Sequence, residues 1–392
     1  MILRGAGVVD GRGDVFDGPV QFDDGRIASI DDSSPSRADE EVVHLDGYTV
    51  LPGIVDAHVH FSLSGEASIE DVTTTSDAEL LFTEIANARR TLEHGVTGVR
   101  SMGARGLDVD LSRAIERGDV PGPRTVANCA SITITGGHGH HLGREVDGPE
   151  ECRRAVREQR KHGAQFIKFM ATGGVTTPGT DPETLAFTPE EIHAIVDEAH
   201  RRGIHVATHA HGAEGIRVAA EAGVDTVEHG TFLDDGAIEA MLDEDVTLVP
   251  TLAAPHRILH NGERATAETL AQSNEVYDRH RESFRRAVEA GVRVAGGTDA
   301  GTPFNHHGSN LVEIQFMARH GMSPVEAITA MTGTAAEAIG LDDAGVIAPG
   351  YHADLVVVDG DPTADIAALD DIETVVKGGE VVAGTPLPDL GT

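Results

Sequence analysis

The chain has 392 residues, 40% of them hydrophobic and 24% charged, enough apolar material for a large core and more length than one ordinary domain uses. Its 65 acidic and 30 basic residues leave a formal charge of −35, which repels nucleic acid and anionic membrane and argues against both as partners. Two cysteines, Cys129 and Cys152, are too few for a disulfide framework or a thiolate metal site.

The acid is spread along the whole chain, lysine is scarce and tryptophan is absent. That balance fits a halophilic protein whose solvated surface is screened by a salty cytoplasm. Met1 to Gly7 soon turns polar, and no run nears the roughly 20 apolar residues of a membrane span. A cytoplasmic location is therefore expected.

From Met1 to about Val50, short strands alternate with tight Gly/Asp turns, as at Asp23-Asp24-Gly25 and Leu45-Asp46-Gly47. The polar segment Asp31 to Glu41 reads as an exposed loop. Short buried strands then alternate with amphipathic helices eight times. The strands are predicted near Gly53 to His60, Val96 to Met102, Arg124 to Thr135, Gln165 to Ala171, His205 to His209, Thr226 to His229, Val246 to Leu252 and Arg293 to Asp299. Helices are predicted over Asp77 to His94, Pro149 to His162, Thr188 to Arg202 and within Ala265 to Ala290, several closing on a glycine such as Gly95, Gly163 or Gly203. Eight β/α units predict an α/β fold of the (β/α)8 TIM-barrel type over 51–342, with its active site at the C-terminal ends of the strands. A helical segment, Ser323 to Gly340, follows. The tail returns to β character at Ala353 to Val358 and Thr374 to Gly379, so segments 1–50 and 343–392 are expected to pair into a small β-sandwich domain.

Several residues fall on the expected rim. His58-Val59-His60 ends the first strand, and residues two apart on a strand face the same side, where two imidazoles can hold one cation. Lys168 sits inside the apolar run Gln165 to Met170 and is one of only three lysines. Burial lowers a lysine's pKa and frees its amine to react, for instance with carbon dioxide to give a carbamate that can bridge two metal ions. The bland alternative is a lysine that snorkels to the strand end. His209, His229 and Asp299 end the fifth, sixth and eighth strands. Any one histidine is more often a satisfied core or surface residue than a ligand, but five such ligands and a modifiable lysine on one rim point to a metal centre. The nitrogen and oxygen donors suit zinc, with manganese, cobalt or iron as alternatives.

These residues resemble the amidohydrolase superfamily of metal-dependent hydrolases. The likeness runs from Leu51-Pro52-Gly53-Ile54-Val55-Asp56-Ala57-His58-Val59-His60 through Gly297-Thr298-Asp299-Ala300-Gly301 to Ile347 to Val356. Thr135 to Gly139, Lys168 to Val175, Thr208 to Gly212 and Val227 to Gly230 make it most similar to the imidazolonepropionase-related group, which includes Xaa-Pro and Xaa-Arg dipeptidases and ochratoxin-type amidases. The resemblance implies two divalent ions: His58, His60 and Asp299 on the first, His209 and His229 on the second, with carboxylated Lys168 and a hydroxide between them. It also implies that Asp299 shuttles the proton and that His138 polarises the scissile carbonyl, although histidine in this glycine-rich loop also fits an incidental surface residue. His140, His211 and Arg100 are candidate substrate contacts. Arg100 and Arg144 could each hold a substrate carboxylate or make a surface ion pair.

The expected function is hydrolysis of an amide or peptide C–N bond, with a dipeptide or N-acyl amino acid as the small-molecule substrate. Ring opening of a cyclic amide such as an imidazolone or hydantoin is the alternative. A mononuclear deaminase using His211 and Glu214 would leave Lys168 without a task, and a silent scaffold would have lost ligands that are all present here. A homo-oligomer is expected.

Overall fold

A computed structural model of the chain describes residues 1–31, 41–66, 71–175, 177, 179–261 and 267–390. The predicted loop from Asp31 to Glu41 falls almost wholly outside the described residues. Among those described, no helix is long and apolar enough to cross a membrane.

The β/α part is built on parallel strands. Ile54–Val59, Val96–Ser101 and Arg124–Ala127 form one three-stranded sheet. Phe166–Met170, His205–Gly212, Thr226–Phe232 and Thr247–Val249 run side by side in a second, which also takes in the short pieces Ile132–Thr133 and Arg144–Glu145. The third predicted strand is thus broken into two pieces, 124–127 and 132–133.

The eighth predicted strand is not a regular strand. Residues 292–300 instead make isolated parallel bridges on both sides, Val294 to Leu248 and Ala300 to Val59. Ala57 N donates to Gly296 O at 3.0 Å, and Ala295 N donates to Leu248 O at 2.9 Å. The irregularity has a local cause. A Cβ on Gly297 would lie 2.9 Å from the Cβ of His58, so only glycine allows this approach. Asp299, two residues on, has φ 59°, outside the pleat any L-residue prefers.

Helices cover the sheets by burying one stripe. Pro149–His162 buries Cys152, Ala155, Val156 and Gln159, at i, i+3, i+4 and i+7, and stops at Gly163, whose φ is 108°. Pro189–His200 starts on a reciprocal cap between Thr188 and Glu191.

Both chain ends share one six-stranded sheet, in which Leu355–Asp359 lies antiparallel to Tyr48–Pro52 with Val357 opposite Val50. The period of two sorts its side chains. Val8, Val50, Leu355 and Val357 join a cluster with Leu3, Val20 and Leu45 of the neighbouring four-stranded sheet. Val9, Leu51, Val356 and Val358 turn the other way, into the core of the β/α part. A sheet covered on both faces needs apolar residues at consecutive positions, which explains the Val356-Val357-Val358 run.

Candidate metal centre

His58 is buried at the end of its strand, with its Nδ1 2.7 Å from Glu228 Oε2. A carboxylate there accepts a hydrogen bond from Nδ1–H and leaves the Nε2 lone pair free to ligate. That Nε2 lies 3.3 Å from Asp299 Oδ1, and His60 Nε2 lies 3.1 Å from the same oxygen. Burial pushes Asp299 upward in pKa, but the two imidazoles outweigh it and hold the carboxyl well below its ordinary range. His58, His60 and Asp299 offer three ligand atoms within 4.8 Å of one another.

A second triplet faces them. His209, His211 and His229 also offer three ring nitrogens within 4.8 Å of one another, and the His58 and His229 rings lie 5.2 Å apart. Each ring is held by its far nitrogen or a neighbour: His211 Nδ1 is 2.7 Å from Thr231 Oγ1, His229 Nδ1 is 2.7 Å from Thr251 Oγ1, and His209 Nε2 is 3.2 Å from Gly173 O. Burial is the main reason all three are poor bases, with His211 brought down to about 3. Neutral imidazole is the form that ligates a cation. His229 and Thr251 have φ of 71° and 54°. Non-glycine residues rarely adopt this region, and with Asp299 they concentrate backbone strain around the cavity.

Lys168 is 2% exposed, in a strand buried from end to end. Its Nζ has a soft contact with Met102 Sδ at 3.6 Å, and burial, with help from Arg100, lowers its pKa to about 8. His138 packs its ring 4.4 Å from that of His209. Its Nδ1 is buried without a protein partner, and burial brings it down to about 4. His58, His60, His138, Lys168, His209, His211, His229 and Asp299 line one cavity of about 150 Å³.

The donor set fits divalent cations: the imidazoles of His58, His209 and His229, each with one nitrogen engaged, a carboxylate held anionic, and a buried amine with no ion-pair partner among the described residues. His58, His60, Lys168, His209, His229 and Asp299 are brought together on this cavity. His211 stands with the ring nitrogens of His209 and His229, closer to the candidate ligands than a purely substrate-facing position implies.

Two expectations need correcting. Arg100 is 1% exposed and donates to Ala57 O at 2.8 Å, Thr226 Oγ1 at 3.0 Å and Glu228 Oε1 at 2.7 Å. Each of its three guanidinium nitrogens is engaged inside the protein and the side chain does not line the cavity, so it is not placed to hold a substrate carboxylate. Arg144 turns to Glu145 O and Glu158. His140 sets its Nδ1 3.0 Å from Gly137 O, bracing its own loop outside the cavity lining.

Sequence reasoning assigned no role to Glu228 or Asp56. Asp56 accepts from His58 N at 3.1 Å, Thr298 N at 3.0 Å, Thr298 Oγ1 at 2.6 Å and Asn310 Nδ2 at 2.7 Å. It thereby ties the first strand to residues 292–300 one residue from Asp299. The available signal was the one used for Lys168, a charged residue inside an otherwise buried strand.

Comparison with known proteins agrees with this geometry. An ochratoxinase of Aspergillus niger is 31% identical over 378 residues, covering 87% of this chain and 76% of the relative. An imidazolonepropionase of Nocardia farcinica is 27% identical, covering 88% and 85%. The crystal structure of a Xaa-Pro dipeptidase with bound methionine superposes with a TM-score of 0.88 at 33% identity, covering 97% of this chain and 98% of that one. The amidohydrolase family profile matches residues 49–382, a span that holds both histidine groups, Lys168 and the strands that carry them. On that match, and with the ligand-type residues in one cavity, this chain belongs to the amidohydrolase family.

Proposed function

We propose that the protein is a binuclear metal-dependent hydrolase of an amide or peptide C–N bond, with a dipeptide or N-acyl amino acid as substrate. The observation that carries this reading is the convergence of two ligand triplets and a buried lysine on one cavity. Family membership and the likeness to an ochratoxinase and a Xaa-Pro dipeptidase support C–N bond hydrolysis. The likeness to an imidazolonepropionase supports cyclic-amide ring opening as the second reading.

In this reading residues 51–342 form a closed (β/α)8 barrel, supported by the bridges that 292–300 makes on both sides. Segments 1–50 and 343–392 form a β-sandwich domain beside it, supported by their shared sheet. His58, His60 and Asp299 would hold one ion, and His209 and His229 the other. Lys168, as the carbamate, would add a carboxylate ligand. Zinc suits this donor set best. When bound, two such cations lower the pKa of water and polarise the substrate carbonyl.

The chain's own groups do the rest. Asp299, kept anionic by His58 and His60, accepts a proton from the attacking water and returns it to the leaving nitrogen. His138, a cavity-lining imidazole that burial brings down to about 4, stabilises the charge that develops on the carbonyl oxygen. Glu228 and Asp56 keep His58 and residue 299 in register. A halophilic character completes the proposal, supported by the composition alone.

The test is to measure metal content per chain and assay the loaded protein against dipeptides, N-acyl amino acids and hydantoins. Two ions per chain with cleavage of linear amides is the expected result. One ion per chain, or ring opening alone, would overturn it.

A further inference from the structure

The strand Thr226–Phe232 outruns its neighbour on one side, because Thr247–Val249 pairs with it only as far as Glu228. Thr247 N donates to Asp225 O at 3.1 Å. Alternate residues of a parallel strand bond to opposite neighbours, so the odd-numbered carbonyls face Thr247–Val249. After Val249 comes Pro250, which has no N–H to give, and then Thr251 with φ 54°. The ladder on this side stops short of His229.

Side chains of the helix Ala267–Ala290 supply donors in its place. His280 Nε2 donates to His229 O at 2.9 Å, Ser283 Oγ to Thr231 O at 2.8 Å and Arg286 Nη1 to Leu233 O at 2.8 Å. Ser283 Oγ also accepts from Leu233 N at 3.1 Å. Residues three apart share a helix face, so one face meets three successive carbonyls of the series. His280 and Ser283 are both buried. Since a carbonyl can only accept, His280 Nε2 carries the ring proton and Nδ1 keeps its lone pair, which is buried without a partner. Packing alone does not favour a side chain that buries an unpaired acceptor.

What these bonds hold is the support of one half of the metal centre. His229 sits at φ 71°, a conformation that persists only where its surroundings impose it. Thr231 places its Oγ1 2.7 Å from His211 Nδ1. None of the three helix bonds reaches His58, His60 or Asp299. We propose that His280 and Ser283 are positioning residues of the metal centre, clamping the strand end through the carbonyls of His229 and Thr231. The clamp aims the His209 and His229 side of the centre and leaves the His58, His60 and Asp299 side alone. This rests on the binuclear reading and deepens it.

The test loads the wild-type chain and the variants His280→Met, His280→Gln and Ser283→Ala with cobalt(II), whose visible spectrum reports its ligands. Methionine fills the space but donates nothing, whereas glutamine keeps an N–H donor. The wild type is expected to bind two ions per chain. In His280→Met one of the two should bind about 10–100-fold more weakly in competition with a chelator. The spectrum of the ion that stays should match that of His229→Ala and differ from that of His58→Ala. His280→Gln should regain most of the lost affinity, and Ser283→Ala should weaken the same ion by less. A role in stability alone would lower the unfolding midpoint and leave cobalt affinities and spectra as in the wild type. Unchanged affinities in His280→Met, a loss shared equally by both ions, or no rescue by glutamine would overturn the inference and leave the binuclear reading standing. Should His280→Met not fold, Ser283→Ala decides: weakening confined to the same ion supports the clamp, and unchanged binding overturns it. A wild type that binds fewer than two ions would overturn the binuclear reading and the inference together.

Discussion

The carboxylate of Glu228 joins Arg100 to His58: Oε1 accepts from Arg100 Nη2 at 2.7 Å, and Oε2 lies 2.7 Å from His58 Nδ1. All three side chains are at most 1% exposed. Burial raises the Glu228 pKa, but Arg100, Lys168 and His58 together bring it down to about 2, below the ordinary carboxylate range.

Removing that charge should therefore act twice. Glu228→Gln keeps the shape but weakens the hold on His58, and metal affinity is expected to fall about 10–100-fold, measured by competition with a chelator. Glu228→Ala also strands the Arg100 guanidinium without its partner. Breaking a buried pair from one side costs about 3–5 kcal/mol, which denaturant unfolding of the metal-free protein will register.

Carboxylation of Lys168 needs the neutral amine, and its folded pKa of about 8 places that form within reach of ordinary pH. Metal reconstitution with added bicarbonate should accelerate between pH 7 and 9, and Lys168→Ala should regain part of its activity with short carboxylic acids. A bare ammonium in the electron density of a metal-replete crystal would refute the carbamate. Linkage supplies a second check. A lowered lysine pKa means that the unfolded chain binds more protons between about 8 and 10.5, so stability of the metal-free protein should rise with pH across that window. Lys168→Met should flatten that rise.

Asp299 is asked to be both ligand and proton carrier. Asp299→Asn keeps one oxygen but loses the base, so kcat should drop by at least about 10²–10⁴-fold while most metal stays bound. His58→Ala should instead deplete the metal. Near-normal kcat in fully loaded Asp299→Asn would move the proton transfer elsewhere, with His138 the next residue to test.

The charge of −35 predicts a salt response. Self-repulsion among unscreened carboxylates opposes the compact state, so the unfolding midpoint should climb with potassium chloride into the molar range. A flat or falling midpoint would remove the halophilic reading.

Much of this was legible in the one-dimensional pattern. Strand and helix periods mark the β/α alternation, and His58, His60, Lys168, His209, His229 and Asp299 announce themselves because each is a polar side chain in, or just after, an apolar run. What such a pattern cannot carry is which donors are already spent. Arg100 looks like a free cation in the sequence, yet in three dimensions its guanidinium is consumed by Ala57, Thr226 and Glu228. Glu228 lies 170 positions from the histidine it orients, and Asp56 lies 242 from Thr298. Contacts over such separations depend on how parallel strands are ordered and registered, and a residue's own neighbours do not encode that. The irregular course of 292–300 has the same origin, since a Cβ on Gly297 would meet Val249 Cγ1 at 2.6 Å and His58 Cβ at 2.9 Å, from strands distant in the chain. The sequence by itself thus determined which chemistry the rim could offer. The tertiary structure decided which groups remain free to perform it, because hydrogen-bond satisfaction and burial are properties of packing.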